Sequence, residues 1–418
     1  MNVLLIHQNF PGQFRHLALD LLRQDPQSLL AIGRDTAPGL PGIRMLRYRP
    51  HRSPAQETHG YLRGFEDAVL HGQQVARLLL RLKGQGYRPD VILAHPGWGE
   101  TLYAKEVFPD VPLVHFCEYY YHARGVDVGF DPEFPSSLDD QSRIRTRNAL
   151  HLLNLEHCDL AITPTRWQHS LHPEAFHDKI RIAHEGVPLD NLWPDPLACL
   201  QLPDGRTLHA GQPVVTYVAR DLEPYRGFHS FMRALPRVLA LHPQAQVVVV
   251  GGDGVSYGRL PQNALNWRAR MLEEVEIDLT RVHFLGKVPY ATYLKVLQVS
   301  AAHVYLTYPF VLSWSMLEAM ATGCLLIGSD TAPVREVIRH GENGYLVDFF
   351  DPSAIAEQIL QALQRPVDQQ PLREMARHTA QDYSVANGLK AYYRLLIEAC
   401  APQSGRRLLH ADSFPVPH

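Results

Sequence analysis

The feature that most constrains this chain is a repeated alternation. Short apolar runs of strand length, each ending in a loop, are followed by segments long enough for a helix. NVLLIHQ, LLAIGRD, IRMLRY, VILAHP, LVHFCEY, LAITPT and IRIAHEG make the first series, and PVVTYVARD, QVVVVGGDG, RVHFLGKV, VYLTYP and CLLIGSD make a second. These runs are apolar throughout instead of alternating, so both faces of each strand are buried. Strand–helix alternation with doubly buried strands means parallel sheets with helices on both faces. Two series imply two doubly wound α/β domains, and 418 residues at 45% hydrophobic content suffice for two cores.

Proline and glycine punctuate the join between the series, in WPDP and QLPDGRTLHAGQP, which reads as a linker because neither residue continues a helix or strand. The expected division is residues 1–205 and 206–384. A terminal helix follows over 385–400, with Leu389, Tyr392, Leu395 and Leu396 at helical spacing. The proline-containing, aperiodic stretch 401–418 reads as a mobile tail.

Charge and composition exclude several functions. A net charge of −3 gives no basic excess for nucleic acid. The 23 histidines show no HExxH or other ligand spacing, so no metal site is expected. Cys117, Cys158, Cys199, Cys324 and Cys400 form no CxxC pair and read as reduced core residues of a cytosolic protein. The first strand begins at Asn2 without a basic leader, and no apolar run approaches the roughly 20 residues that span a bilayer. The expected location is cytoplasmic, with peripheral association at the inner face of the membrane left open. Arg143, Arg145 and Arg147 form either a solvated helix face or a face toward lipid headgroups or a charged acceptor.

Loops at the carboxyl ends of parallel strands are where such sheets bind ligands. In the first domain these loops carry Gly12 and Gln13, then His95, then a tract from Glu118 to Pro135 with three consecutive tyrosines, whose aromatic and polar groups suit either a sugar or a structural loop packed by its own aromatics. In the second, a strand ending at Ala219 precedes a loop with Arg220 and Arg226, beside a helix starting near Gly227. Two guanidiniums there read as a diphosphate clamp. Gly252 and Asp253 lie in a tight turn after the next strand. Farther on, Ser313 should cap a helix with Trp314, Leu317 and Met320 on one apolar face, Glu318 off it, and Gly323 as a left-handed end. The turn of Phe310, Val311, Leu312, Ser313 and Ser315 then offers free N–H groups to an anion.

LEAMATGCLLIGSDTAPVREVIRHGENGYLV resembles the donor-binding segment of family 4 glycosyltransferases, and DLAITPTRWQHSLHP resembles part of their first domain. The resemblance implies a GT-B architecture, two Rossmann-like domains facing a central cleft. It implies transfer of a sugar, with retention of configuration, from a nucleotide-diphosphate sugar to a glycan, lipid-linked or small-molecule acceptor, as in polysaccharide biosynthesis. By the same resemblance Glu318 would hold the ribose, the loop at Lys287 and Val288 would lie by the base, and Arg220 and Arg226 would meet the diphosphate. No cofactor beyond the donor is implied. Three positions depart from the family's pattern: Phe310 stands where a first glutamate is usual, Glu118 where a histidine is usual, and Arg226 where a lysine is usual. His122 and His115 are candidates to replace that histidine. The alternatives are a sugar-nucleotide epimerase of the same architecture and a non-catalytic sugar-nucleotide-binding protein.

Overall fold

A computed structural model describes residues 1–401; apart from Ala401, the expected tail lies outside the described residues. The chain divides into two compact units, Met1–Gly186 with Val385 onward, and Val187–Ser384. The division falls at 186/187 instead of the expected 205/206.

The first unit holds a seven-stranded sheet: β1 (Val3–Ile6), β2 (Leu29–Arg34), β3 (Met45–Tyr48), β4 (Val91–Ala94), β5 (Leu113–Phe116), β6 (Leu160–Thr163) and β7 (Ile180–Ile182). Their order is β3-β2-β1-β4-β5-β6-β7, with every pairing parallel. The period-2 geometry of β1 explains its unbroken apolar sequence. Val3 and Leu5 enter one core cluster, with Leu17 and Leu21 of the helix Arg15–Gln24, while Leu4 and Ile6 enter the opposite one, with Val75 and Leu79 of Arg63–Gly84. The terminal helix Val385–Cys400 completes the first of these clusters through Tyr392, Leu395 and Leu396. Strand order reverses between β1 and β4, so the loops after those two strands border the sheet's switch point.

The second unit begins with a correction. The stretch read as linker is an antiparallel hairpin, β8 (Cys199–Gln201) and β9 (Thr207–His209). The prolines and glycines of the linker reading supply its turn and flanks, while Leu200, Leu202 and Leu208 are buried with Val214, Val248 and Val296. A six-stranded parallel sheet follows: β10 (Val214–Asp221), β11 (Gln246–Gly252), β12 (Val282–Gly286), β13 (Ala302–Tyr305), β14 (Leu326–Ser329) and β15 (Tyr345–Val347). Its order is β12-β11-β10-β13-β14-β15, so this switch point lies between β10 and β13. β10 continues past Ala219 to Asp221, which places Arg220 on the strand and not in the loop.

Cys117, Cys158 and Cys324 are buried free thiols as expected of core residues, whereas Cys199 and Cys400 are exposed, on a hairpin edge and at a helix end.

Candidate functional site

In the second unit the loops after β10 and β13 meet at the switch point. Arg226 ends the first loop. Its Nη1 donates to Thr307 Oγ1 at 2.8 Å and reaches Tyr305 Oη and the Val311 carbonyl at 3.5 Å. Its guanidinium also lies over the rings of Tyr257 at 5.2 Å and Phe310 at 6.0 Å. Of the two arginines expected to form a diphosphate clamp, Arg226 is therefore a caged cation, 9% exposed, whereas Arg220 is exposed. Phe310, where the family's pattern has an acid, is a buried wall of this cage.

The cage has its own support. Glu223, fully buried, accepts from the backbone N–H groups of Ser256 and Gly258 at 2.9 and 2.7 Å and also from that of Tyr257, which fixes the loop that brings Tyr257 over Arg226. Asp221 accepts from Ser256 Oγ at 2.6 Å and pairs with Lys287 Nζ at 3.0 Å. Burial alone would raise the Asp221 carboxyl, but these partners hold it below the usual range. Gly252 sits against that pair: a Cβ there would lie 2.4 Å from Lys287 Cε and 2.5 Å from Asp221 Oδ1, so a side chain would break it. The neighbouring Asp253 pairs with Arg268 at 2.8 Å. Val288 is partly buried against the core.

Beyond the β13 loop, Ser313 caps the nine-residue helix Trp314–Thr322, accepting from the Ser315 N–H, and Gly323 ends it at φ 82°. The Ser313 N–H itself donates to Tyr305 Oη at 3.1 Å, and Leu312 is buried beside it. The buried stripe is Met316, Leu317 and Met320; Trp314, expected on it, is 44% exposed because the first turn projects beyond the core. Glu318 is half-buried and accepts hydrogen bonds from Tyr290 Oη and Tyr293 Oη, both at 2.9 Å. Burial raises its carboxyl above the usual range, and the two phenols pull it partly back. The tyrosines stand three apart on the helix Tyr290–Gln298, which puts both on one face. Two sets of contacts therefore stand near the carboxyl ends of β10 to β13: Arg226 with Thr307, Val311, Phe310 and Tyr257, whose loop is tied through Ser256 to Asp221 and Lys287, and Glu318 with Tyr290 and Tyr293.

In the first unit the switch-point loops after β1 and β4, with the loop after β5, build a relay. The Asn9 N–H donates to His7 Nδ1 at 3.0 Å, which leaves the proton on Nε2 to be donated to Gln13 Oε1 at 2.9 Å. Gln13 Nε2 in turn donates to Glu118 Oε1 at 3.0 Å. The Gly97 N–H fixes His95 in the same tautomer, and His95 Nε2 faces Glu118 Oε2 at 3.5 Å. Burial and neighbouring His95 push His7 down to about 3, so it is neutral. For Glu118, burial is outweighed by His95 and Gln13, which hold its carboxyl below the usual range. Gly12 is required here, because at φ 48° its Cβ would lie 2.2 Å from His7 Nε2. His115 and His122 do not join the relay: the first is buried on β5 against the Asn154 carbonyl, and the second bonds the Leu171 carbonyl.

The structure thus adds His7, Asp221, Glu223, Tyr257, Tyr290, Tyr293 and Thr307 to the residues picked from sequence. Only the i,i+3 tyrosines and the acid before Pro224 left a visible signal in the sequence.

Two family profiles match consecutive parts of the chain, the glycosyl transferase family 4 group over residues 26–192 and the glycosyl transferases group 1 over residues 212–365. The chain belongs to the family 4 glycosyltransferases. Among curated relatives, phosphatidyl-myo-inositol mannosyltransferase of Mycobacterium leprae is 31% identical over 38% of this chain and 40% of its own length. Glycogen synthase of Mycobacterium tuberculosis is 25% identical over 80% of this chain and 75% of its own. The match thus spans less than half of the first relative. The solved structure of Anabaena HepE in complex with UDP superposes with a TM-score of 0.66 over 95% of this chain and 100% of its own, at 16% identity. That likeness establishes the shared GT-B fold of this family member.

Proposed function

We propose that this chain transfers a sugar, with retention of configuration, from a nucleotide-diphosphate sugar to a glycan, lipid-linked or small-molecule acceptor. The observation that carries the reading lies on one helix of the second unit. Its N-terminus at Ser313 adjoins caged Arg226, and Glu318 follows five residues later, about 7 Å of helix rise. A diphosphate at the first point and ribose hydroxyls at the second match the chemistry of each: N–H groups and a cation for phosphate, a carboxylate for hydroxyls.

In this reading the bond from the anomeric carbon to the phosphate oxygen breaks while the acceptor oxygen bonds that carbon on the same face. The acceptor proton passes to the departing phosphate oxygen. No protein nucleophile is required. Arg220, Arg226 and the helix N–H groups counter the charge that grows on the leaving diphosphate, without a divalent metal. Gly252, Asp253, Lys287, Val288, Val311, Leu312, Ser313 and Ser315 shape the donor side. On the acceptor side Gly12, Gln13, His95 and Glu118 present an ionised carboxylate that can accept from a sugar hydroxyl but, being held below its usual range, does not serve as an acid at neutral pH.

Phe310 and the burial of Arg226 favour a second reading, donor binding without turnover. Incubation with UDP-, GDP- and ADP-sugars separates the readings, with UDP-sugars first because HepE binds UDP. Release of nucleotide by transfer or slow hydrolysis is expected. Binding with no product, or isomerisation of the donor, would overturn the transferase reading. A peripheral membrane site for the reaction in the cytoplasm fits the lack, among the described residues, of a helix long and apolar enough to cross a membrane.

A further inference from the structure

In the first unit the loop after β5 and the helix Leu138–His157 line an open cavity of about 420 Å³. That is the size of small-ligand sites, which run about 300–1,000 Å³. Its helix wall is Gln141, Ile144, Arg145 and Asn148, one face by their i, i+3, i+4, i+7 spacing, and its other wall includes Tyr120 and Arg124. Tyr120 is two residues from Glu118, so this cavity continues the acceptor-side loop.

The lining is cationic and has no acid. Arg124 spans the cavity, with Nε and Nη2 donating to Gln141 Oε1 at 3.0 and 2.9 Å, so its fork is held in place by a neutral group. Among the described residues neither Arg124 nor Arg145 has a carboxylate within ion-pair distance, whereas nearby Arg143 faces Asp140 at 3.9 Å. The acids of the tyrosine tract do not line the cavity; Asp127 takes the Tyr119 hydroxyl instead. Independently, Asn148 is 8% exposed, its Nδ2 donates to the Tyr121 carbonyl at 2.7 Å, and its Oδ1 has no partner. A buried acceptor without a donor is rare and points to a hydroxyl or water at that wall. Tyr120 and Ile144 supply apolar surface between the charged and polar ends.

We propose that this cavity binds a sugar residue carrying an acidic substituent, a carboxylate or a phosphate ester, as part of the acceptor. The anion meets Arg145 and Arg124, the ring lies along Tyr120, and a ring hydroxyl donates to Asn148 Oδ1. The inference deepens the transferase reading and rests on it for the word acceptor, but the binding chemistry stands on the cavity.

The test titrates the full chain, at low salt, with methyl glucoside, methyl glucuronoside and glucose 6-phosphate, and separately with UDP. At least one acidic sugar should bind about tenfold or more tighter than the neutral one, the worth of one charge-assisted hydrogen bond. The tighter of the two identifies the acid. Arg145→Gln, at an exposed position and with its melting temperature checked against wild type, should reduce that preference to within about threefold. Equal affinities, no binding of any sugar, or a preference that survives Arg145→Gln would overturn the inference. Binding of UDP without acid preference defeats the cavity and spares the transferase reading. Acid preference without any nucleotide binding or turnover does the reverse.

Discussion

Replacing Arg226 tests whether a caged cation acts on the transition state. Arg226→Ala deletes a charge-assisted hydrogen bond to Thr307, about 1.5–3 kcal/mol, and cation–π contact with Tyr257 and Phe310, about 0.5–2 kcal/mol. A loss of about 3 kcal/mol follows, or about 6–12 °C in Tm for a unit of this size. Catalysis should suffer separately: negative charge on the diphosphate grows as the glycosidic bond breaks, so a preorganised cation stabilises the transition state more than bound donor. Loss of one such group costs about 10²–10³-fold in kcat. Arg226→Lys keeps the charge with a single-point donor, so it should recover part of kcat. Exposed Arg220 provides the contrast, since Arg220→Ala should lower kcat with little change in Tm. The assay is steady-state nucleotide release, with Tm measured on the same preparations. An Arg226→Ala enzyme with unchanged kcat and only a raised KM would assign the arginine to uniform binding and refute the reasoning.

Glu318→Ala should weaken UDP binding by about 1–3 kcal/mol, measured by calorimetry, and Glu318→Gln, which still accepts from Tyr290 and Tyr293, separates loss of charge from loss of that packing. Unchanged affinity in both would remove Glu318 from the ribose role. Activity should survive EDTA, because in the proposed reaction Arg220 and Arg226 neutralise the phosphate charge that a divalent ion would otherwise meet; abolition by EDTA and restoration by manganese would refute this. Glu100, buried and accepting from Tyr48 Oη, has its carboxyl pushed up to about 7 by burial, from an ordinary 4.5. The native state then holds a proton that the unfolded chain has lost, so this group's contribution to stability falls as pH rises from about 4.5 to 7 and is level above. Glu100→Gln keeps an acceptor for Tyr48 and removes that fall, so its stability relative to wild type should rise by roughly 3 kcal/mol across the window in urea unfolding; a pH-independent difference would refute it.

Local physics made much of this protein legible before any coordinates. Doubly buried runs such as VLLI required parallel sheets with covered faces, Ser313 and Gly323 marked the two ends of one helix, and Gly12 and Gly252 marked strand-end loops, though not the His7, Lys287 and Asp221 side chains their backbone passes. The strand-end loops carrying Arg226, Gln13 and Glu118, and the helix carrying Glu318, followed from the same pattern. What those side chains touch did not. Arg226 is caged by residues from the separate loops after β11 and β13, Glu318 is engaged by tyrosines 25 and 28 positions earlier, and Gln13 reaches a carboxylate 105 positions later. The linker that proved to be a hairpin and the exposed Trp314 have the same origin, for each depended on what the neighbouring core left room for. Periodicity and capping report on neighbours within a few residues along the chain. Strand order decides which distant loops meet at a switch point, and with them the partners, burial and charge state of every group in the candidate site.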